Sequence, residues 1–184
     1  SYQFYNNLST LFLNRFDNSL EYRSPTFAGV TVNAMYGFGE NLEASTTPGV
    51  RNEAGDSYAL GAQWRSGGFY VGGAYTASDR TTSTGNDLSE WGLGAQYRFG
   101  SQTTLGAGYI STDRLGRDTS FTFVSGSLGV GAGTVFLNYV MVDEDTRGSS
   151  NRLGLAYAYP LSKRTNAYVA TGMTTDLAVG SGAN

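Results

Sequence analysis

Apolar and polar residues alternate along most of this chain, the mark of strands whose successive side chains point to opposite faces. From Glu90 to Phe99, Trp91, Leu93, Ala95, Tyr97 and Phe99 fall on one face, and Glu90, Gly92, Gly94, Gln96 and Arg98 fall on the other. Val30, Val32, Ala34, Tyr36 and Phe38 repeat the pattern against Thr31, Asn33, Met35 and Gly37. Leu153, Leu155, Tyr157, Tyr159 and Leu161 do the same against Arg152, Gly154, Ala156, Ala158 and Pro160. The alternation predicts about ten strands, near 13–24, 29–38, 57–65, 69–76, 88–99, 103–111, 119–130, 134–142, 152–161 and 164–172. Two positions break the pattern. Asn18 is polar on an otherwise apolar face, and between 121 and 128 the parity slips: Phe121 and Phe123 fit one face, Val124 and Leu128 the other. A bulge at Val124 to Gly126 would restore a single apolar face. No segment carries helical periodicity, and none reaches the roughly 18 apolar residues of a membrane helix. The expectation is an all-β chain forming one domain over residues 1–184.

The connections alternate in length. SPTFAG, SGG, GSQ, GAG and LSK are short, whereas GENLEASTTPGVRNEAGD, ASDRTTSTGND, TDRLGRD and DEDTRGSSN are long, as is the tail from Met173. In an antiparallel meander every second connection lies at the same end. One end is therefore expected to carry tight turns and the other polar loops, as in transmembrane β-barrels.

Alternation alone also fits a soluble β-sandwich, whose polar face meets bulk water and favours threonine, lysine and glutamate. Here the polar face is rich in glycine and alanine, with sparse Gln63, Gln96, Glu90, Arg65, Arg98 and Arg152. Lys163 is the single lysine in a chain with 26 glycines, 13 tyrosines and 10 phenylalanines. Such a wall suits a crowded lumen better than a solvated surface. The apolar face places Tyr22, Trp64, Phe69, Tyr97, Phe99 and Tyr159 beside the short turns, and Tyr36, Phe38, Tyr75 and Trp91 toward the long loops. Two aromatic bands separated by Leu, Val and Ala are what a bilayer with two interfaces selects. The pattern reads as an antiparallel transmembrane β-barrel meander, closed because open sheet edges cannot sit in lipid.

Composition narrows the chemistry. The 184 residues, 40% hydrophobic, carry a formal charge of −3 and contain neither cysteine nor histidine. That removes disulfides, thiolate metal sites, the commonest general base and the Ser-His and Cys-His nucleophile systems. No enzyme activity, metal or cofactor is expected. A negative chain without a basic, aromatic-interleaved stripe also argues against nucleic acid as a partner. GVGAGTV at 129–135 lacks the G-x-G-x-x-G spacing and following helix of a dinucleotide loop, and reads as a turn. Asp143, Glu144 and Asp145 read as solvated loop charge, with a weaker reading in which they share divalent ions with anionic lipid. On the polar face Arg15, Asp17, Glu21, Arg23, Arg65, Glu90, Arg98 and Arg152 are pore-lining candidates that would set a field for passing ions. The plainer alternative is a set of static ion pairs filling a closed lumen.

NRFDNSLEYRSPTFAGVTVNAMYGFGE, residues 14–40, resembles the R-x-D-N-S-x-x-Y-x-S-P-x-F-x-G segment of Gram-negative general porins of the β-proteobacterial type. YPLSKRTNAYV at 159–169 resembles the Y-x-L-S-K-R-T-x-x-Y segment near that family's carboxyl end. The resemblance implies a bacterial outer-membrane location, contact with membrane lipid and lipopolysaccharide, and a homotrimer of roughly 16-stranded barrels with aqueous channels. It also implies that this chain is a fragment of about ten of those strands, lacking the N-terminal strands and the last strand. Residues 1–10 would be the tail of the constriction loop, and Arg15 one arginine of the basic cluster facing that loop.

Two functions follow. One is a passive diffusion channel for small hydrophilic solutes and ions. The other is a surface-exposed adhesin or receptor-type barrel whose long loops, 39–56 above all, bind a partner. A hydrolase barrel is disfavoured by the lack of histidine.

Overall fold

In the computed structural model the described residues are 18–39, 41–42, 52–81, 88–114, 116–145 and 148–176. They form one antiparallel sheet. In chain order the strands are β1 (Ser19–Arg23), β2 (Val30–Gly37), β3 (Asn41–Leu42), β4 (Asn52–Ser66), β5 (Phe69–Thr81), β6 (Leu88–Phe99), β7 (Thr103–Arg114), β8 (Asp118–Val130), β9 (Gly133–Glu144), β10 (Gly148–Ser162) and β11 (Thr165–Asp176). Each strand pairs with the next along the path β1-β2-β4-β5-β6-β7-β8-β9-β10-β11, and the two-residue β3 pairs with β4 off that path. Nearest-neighbour hairpins throughout make this a meander.

Several strands run further than the hydropathy pattern predicts, and the large extensions lie at the long-loop end. β4 begins at Asn52, β5 runs to Thr81, β7 to Arg114, and β10 begins at Gly148. Apolar alternation ends where one face stops meeting an apolar surround, whereas backbone pairing continues beyond it. The predicted long loop TDRLGRD is consequently short. Arg114 and Arg117 exchange two backbone hydrogen bonds of 3.1 and 3.2 Å, and the Asp113 carboxylate accepts from the Gly116 N–H at 3.1 Å.

The expected bulge at Val124 to Gly126 does not exist. The β7–β8 register is unbroken from Asp113↔Asp118 to Thr104↔Ser127, and β8–β9 from Thr119↔Glu144 to Val130↔Gly133. Phe121 and Phe123 therefore stand on the polar face, and Val124 and Leu128 on the apolar one. Room for Phe123 comes from Gly108, its register partner: a Cβ there would meet Phe123 Cζ at 2.5 Å and the Leu93 carbonyl oxygen at 2.8 Å. Phe123 is the most enclosed large side chain described, at 1% exposure, packed with Ile110, Tyr70, Ala74, Phe121 and Val140. Register shifts occur instead between Ala54 and Ser57 and between Pro160 and Ser162. Pro160 lacks an N–H, and it lies beyond the last β9 pairing at Ala158↔Thr134, where no β9 ladder bond is lost.

Asn18 is also resolved differently from the sequence expectation. It has φ of 48°, in the left-handed region that asparagine tolerates, and β1 begins after it. It is not a strand residue with a misplaced polar side chain. The strand parity of Glu21 and Arg23 stops at residue 18, and Arg15 and Asp17 themselves lie outside the described residues.

The turn between β1 and β2 closes with Phe27 and Val30 exchanging bonds of 2.9 and 2.8 Å, while Ala28 and Gly29 take φ of 48° and 84°. This is the twist-matched turn that hairpins prefer. Gly29 has no alternative. A Cβ at that position would lie 2.2 Å from the Arg65 carbonyl oxygen on β4.

Candidate functional site: a wall with a wet concave face

Register assigns each side chain to a face, and exposure tells which face is concave. In a curved sheet, side chains crowd on the inside and splay on the outside. On the polar face Thr76 is 2% exposed and Gln96 7%, although the described residues form a single sheet with no second layer over them. On the apolar face Leu93 is 55% exposed and Trp91 42%, on the same strand as Gln96. The polar face is therefore the crowded, concave one. A soluble sheet would invert this relation, enclosing leucine and exposing glutamine.

Glycine and small polar residues make the concave wall. Gly72, Gly94 and Gly108 lie in one register row across β5, β6 and β7, continued by Phe123 on β8. The Tyr70 ring folds over Gly72, with its hydroxyl 2.9 Å from where a Cβ would sit. Hydroxyls bond across strands: Ser57 to Ser78 at 2.7 Å, Thr104 with Ser127 at 2.8 Å, and Thr112 Oγ1 to Glu90 Oε2 at 3.1 Å.

Of the predicted pore-lining residues, Glu21, Arg23, Arg65, Glu90, Arg98 and Arg152 all register on this concave face. They are not brought together into one cluster. Arg23, Arg65 and Arg98 stand next to the short turns, Glu90 and Arg152 toward the long loops, and Glu21 two residues from Arg23. Arg65 lies over the Tyr70 ring, 4.9 Å from its centroid. The apolar group around Phe123 on the concave face was missed by the sequence reading, and the unbroken parity of Phe121 and Phe123 with Ser125 and Ser127 is the signal that could have found it.

The convex face carries the aromatics as two contacting bands. Near the short turns Phe69 packs on Tyr97 at 4.4 Å between centroids, and Tyr97 on Phe99 at 4.5 Å. Toward the long loops Tyr36 meets Phe38 at 5.0 Å, Tyr58 meets Tyr75 at 5.9 Å and Trp91 meets Tyr109 at 5.3 Å. Tyr58 and Tyr109 extend the second band beyond the residues expected from sequence. Tyr22, Trp64 and Tyr159 also register on this face. Just beyond the second band Asp56 accepts from the Tyr36 hydroxyl at 2.5 Å and from the Gly39 N–H at 2.9 Å. These two donors hold its carboxyl below the ordinary carboxylate range, the Tyr36 bond contributing most.

Among the described residues no helix is long and apolar enough to cross a membrane, which says nothing of crossing by strands. No group of three or more His, Cys, Asp or Glu that could hold a metal ion occurs among them either.

A meander with an apolar, aromatic-banded convex face and a wet concave face defines the class: the wall of an antiparallel transmembrane β-barrel. The Gram-negative porin family model matches residues 1–177, and the chain belongs to that family. Its place is the bacterial outer membrane. No curated protein sequence matches the chain. In solved structures it is similar to the anion-selective porin from Comamonas acidovorans, with a TM-score of 0.73 and 23% identity over 87% of this chain and 49% of that one. A porin refined at 1.8 Å resolution gives a TM-score of 0.63 and 18% identity, over 84% of this chain and 55% of that one. OmpT of Vibrio cholerae with its loop L8 deleted gives 0.61 and 18%, over 91% and 60%. The chain thus spans roughly half the length of the porins it matches, and nothing in the comparisons supports the adhesin alternative.

Proposed function

We propose that this chain forms part of the wall of a water-filled channel through which small hydrophilic solutes and ions diffuse passively, without catalysis or cofactor. The observation that carries the reading is the inversion of faces: glutamine and threonine enclosed on the concave side, leucine and tryptophan splayed on the convex side. Glu21, Arg23, Arg65, Glu90, Arg98 and Arg152 line the lumen in this reading, with Arg15 and Asp17 added on sequence grounds. The aromatic bands seat at the two membrane interfaces, next to outer-membrane lipid and, on the long-loop side, lipopolysaccharide. β1 and β11 each pair on one side only among the described residues, and unpaired edges are not tolerated in lipid. Further strands of a roughly 16-stranded barrel close the wall, residues 1–10 enter it as the end of a constriction loop, and three copies assemble as a trimer. The natural protein carrying this chain, reconstituted in planar bilayers, is expected to give stepwise conductance. A correctly folded, membrane-inserted protein that stays electrically silent refutes the proposal.

A further inference from the structure

The charges on this wall are unevenly placed along its axis. Among the described residues, those next to the short turns are Arg23, Arg65, Arg98, Lys163 and Arg164, all cationic. The nearest carboxylate on the concave face is Glu21; at the long-loop end that face carries both signs, with Glu90 and Glu144 beside Arg114 and Arg152. Arg23, Arg65 and Arg98 point to the concave side, all three solvent-exposed. Set against Glu21, they leave the short-turn end of the described concave wall net positive.

Arg65 and Arg98 are also seated in the same way. Each is the residue before the last of its strand, and each backbone N–H donates at 2.9 Å to the carbonyl of a glycine in the preceding hairpin turn: Arg65 to Gly29, Arg98 to Gly68. A Cβ on Gly29 would lie 2.2 Å from the Arg65 carbonyl oxygen, and one on Gly68 would lie 2.7 Å from that of Arg98. Bare glycine backbone thus presses on each arginine backbone and fixes where its side chain leaves the wall. Between them stand Tyr70, beneath the Arg65 guanidinium at 4.9 Å, and its register partner Gln96, enclosed at 7% exposure. With β4 and β6 two strands apart, the backbones are separated by about 10 Å across the sheet. That is close to the screening length at physiological salt, so the two fields overlap.

We propose that the short-turn mouth of the lumen, built on Arg65 and Arg98 over Tyr70 and Gln96, is a collecting site for small oxyanions. Guanidinium forks bind tetrahedral and planar oxyanions by donating paired N–H bonds. A cationic site at one mouth, with charges of both signs at the other, gives the channel a direction: oxyanions arriving from the short-turn side occupy it before those arriving from the long-loop side. This rests on the channel reading above and assigns it a ligand class and a sidedness.

The test uses the natural protein in planar bilayers with potassium chloride. A biotinylated Ser101→Cys variant, in the turn at 100–102, reports which chamber the short turns face. Sulfate is added to one chamber at constant ionic strength. Half-block of the chloride current is expected at a sulfate concentration about tenfold lower from the short-turn side than from the other. Arg65→Gln with Arg98→Gln should abolish that difference. Arg65→Lys with Arg98→Lys keeps the charge without the fork, so the reversal potential should hold while half-block moves to about tenfold higher sulfate. Equal block from both sides, or block unchanged in both double variants, overturns the site and leaves the channel standing. Absence of any conductance overturns both.

Discussion

If the concave side is wet and the convex side faces lipid, an arginine should be costly on one face and tolerated on the other. Leu93 is the position that tests this most sharply. It sits mid-strand in β6 on the convex face, between Trp91 and Tyr97 of the two aromatic bands, and is 55% exposed. In a soluble protein so exposed a leucine could become arginine at little cost, within about 0.5 kcal/mol. In the middle of a bilayer the same change on a barrel's lipid face costs about 2–4 kcal/mol. Ala170 on β11, paired with Ala156 on the concave face, is the matched control, and Ala170→Arg should stay near the soluble figure. The assay is reversible urea unfolding of the natural protein folded into lipid vesicles, followed by tryptophan emission. At a slope of about 2 kcal/mol per M, Leu93→Arg should lower the midpoint by about 1–2 M. A neutral Leu93→Arg together with a costly Ala170→Arg would show that the faces have been assigned backwards.

Other consequences are equally measurable. Phe123→Ala removes the most enclosed ring of the wall and should cost about 3–5 kcal/mol in the same unfolding assay. Gly108→Ala should cost about 1–3 kcal/mol by crowding; combining the two should relieve only the clash with the ring, because the Leu93 carbonyl remains 2.8 Å away, so full recovery in the double variant would contradict this packing. Ala28→Asn supplies a residue that accepts the positive φ of this turn and should stabilise by about 0.5–1 kcal/mol; a loss of stability would count against the turn geometry. Asp56 lies beyond the aromatic band, outside the hydrocarbon layer, and its folded pKa is lowered by the Tyr36 and Gly39 bonds. Its contribution is therefore complete above the usual carboxylate value near 4 and lost as pH falls through the lower folded value. Hydrogen exchange at the Gly39 amide should accelerate, beyond its intrinsic pH dependence, across that window, and Asp56→Asn should remove the transition.

What the sequence determined by itself was the class and most of the wall. Period-two alternation assigned Trp91, Leu93 and Tyr97 to one face and Gln96 and Arg98 to the other, because strand geometry leaves a side chain no third direction. The same local rule placed the tight turns, since SGG and SPTFAG can do little else. Its limits were physical as well. Strand ends at Asn52, Thr81, Arg114 and Gly148 depend on backbone pairing above the aromatic band, where both faces are polar and hydropathy carries no signal. The side taken by Phe123 depended on Gly108, which faces it from the neighbouring strand and leaves space for a ring on a wet wall. Asn18 looked like a polar intruder until its backbone proved to be left-handed. The matching seats of Arg65 and Arg98 required the stagger of successive hairpins, which sets Gly29 against Arg65 and Gly68 against Arg98. Alternation is written residue by residue and survives in one dimension; register, stagger and the space beneath a ring belong to pairs of strands, and exist only once the sheet has formed.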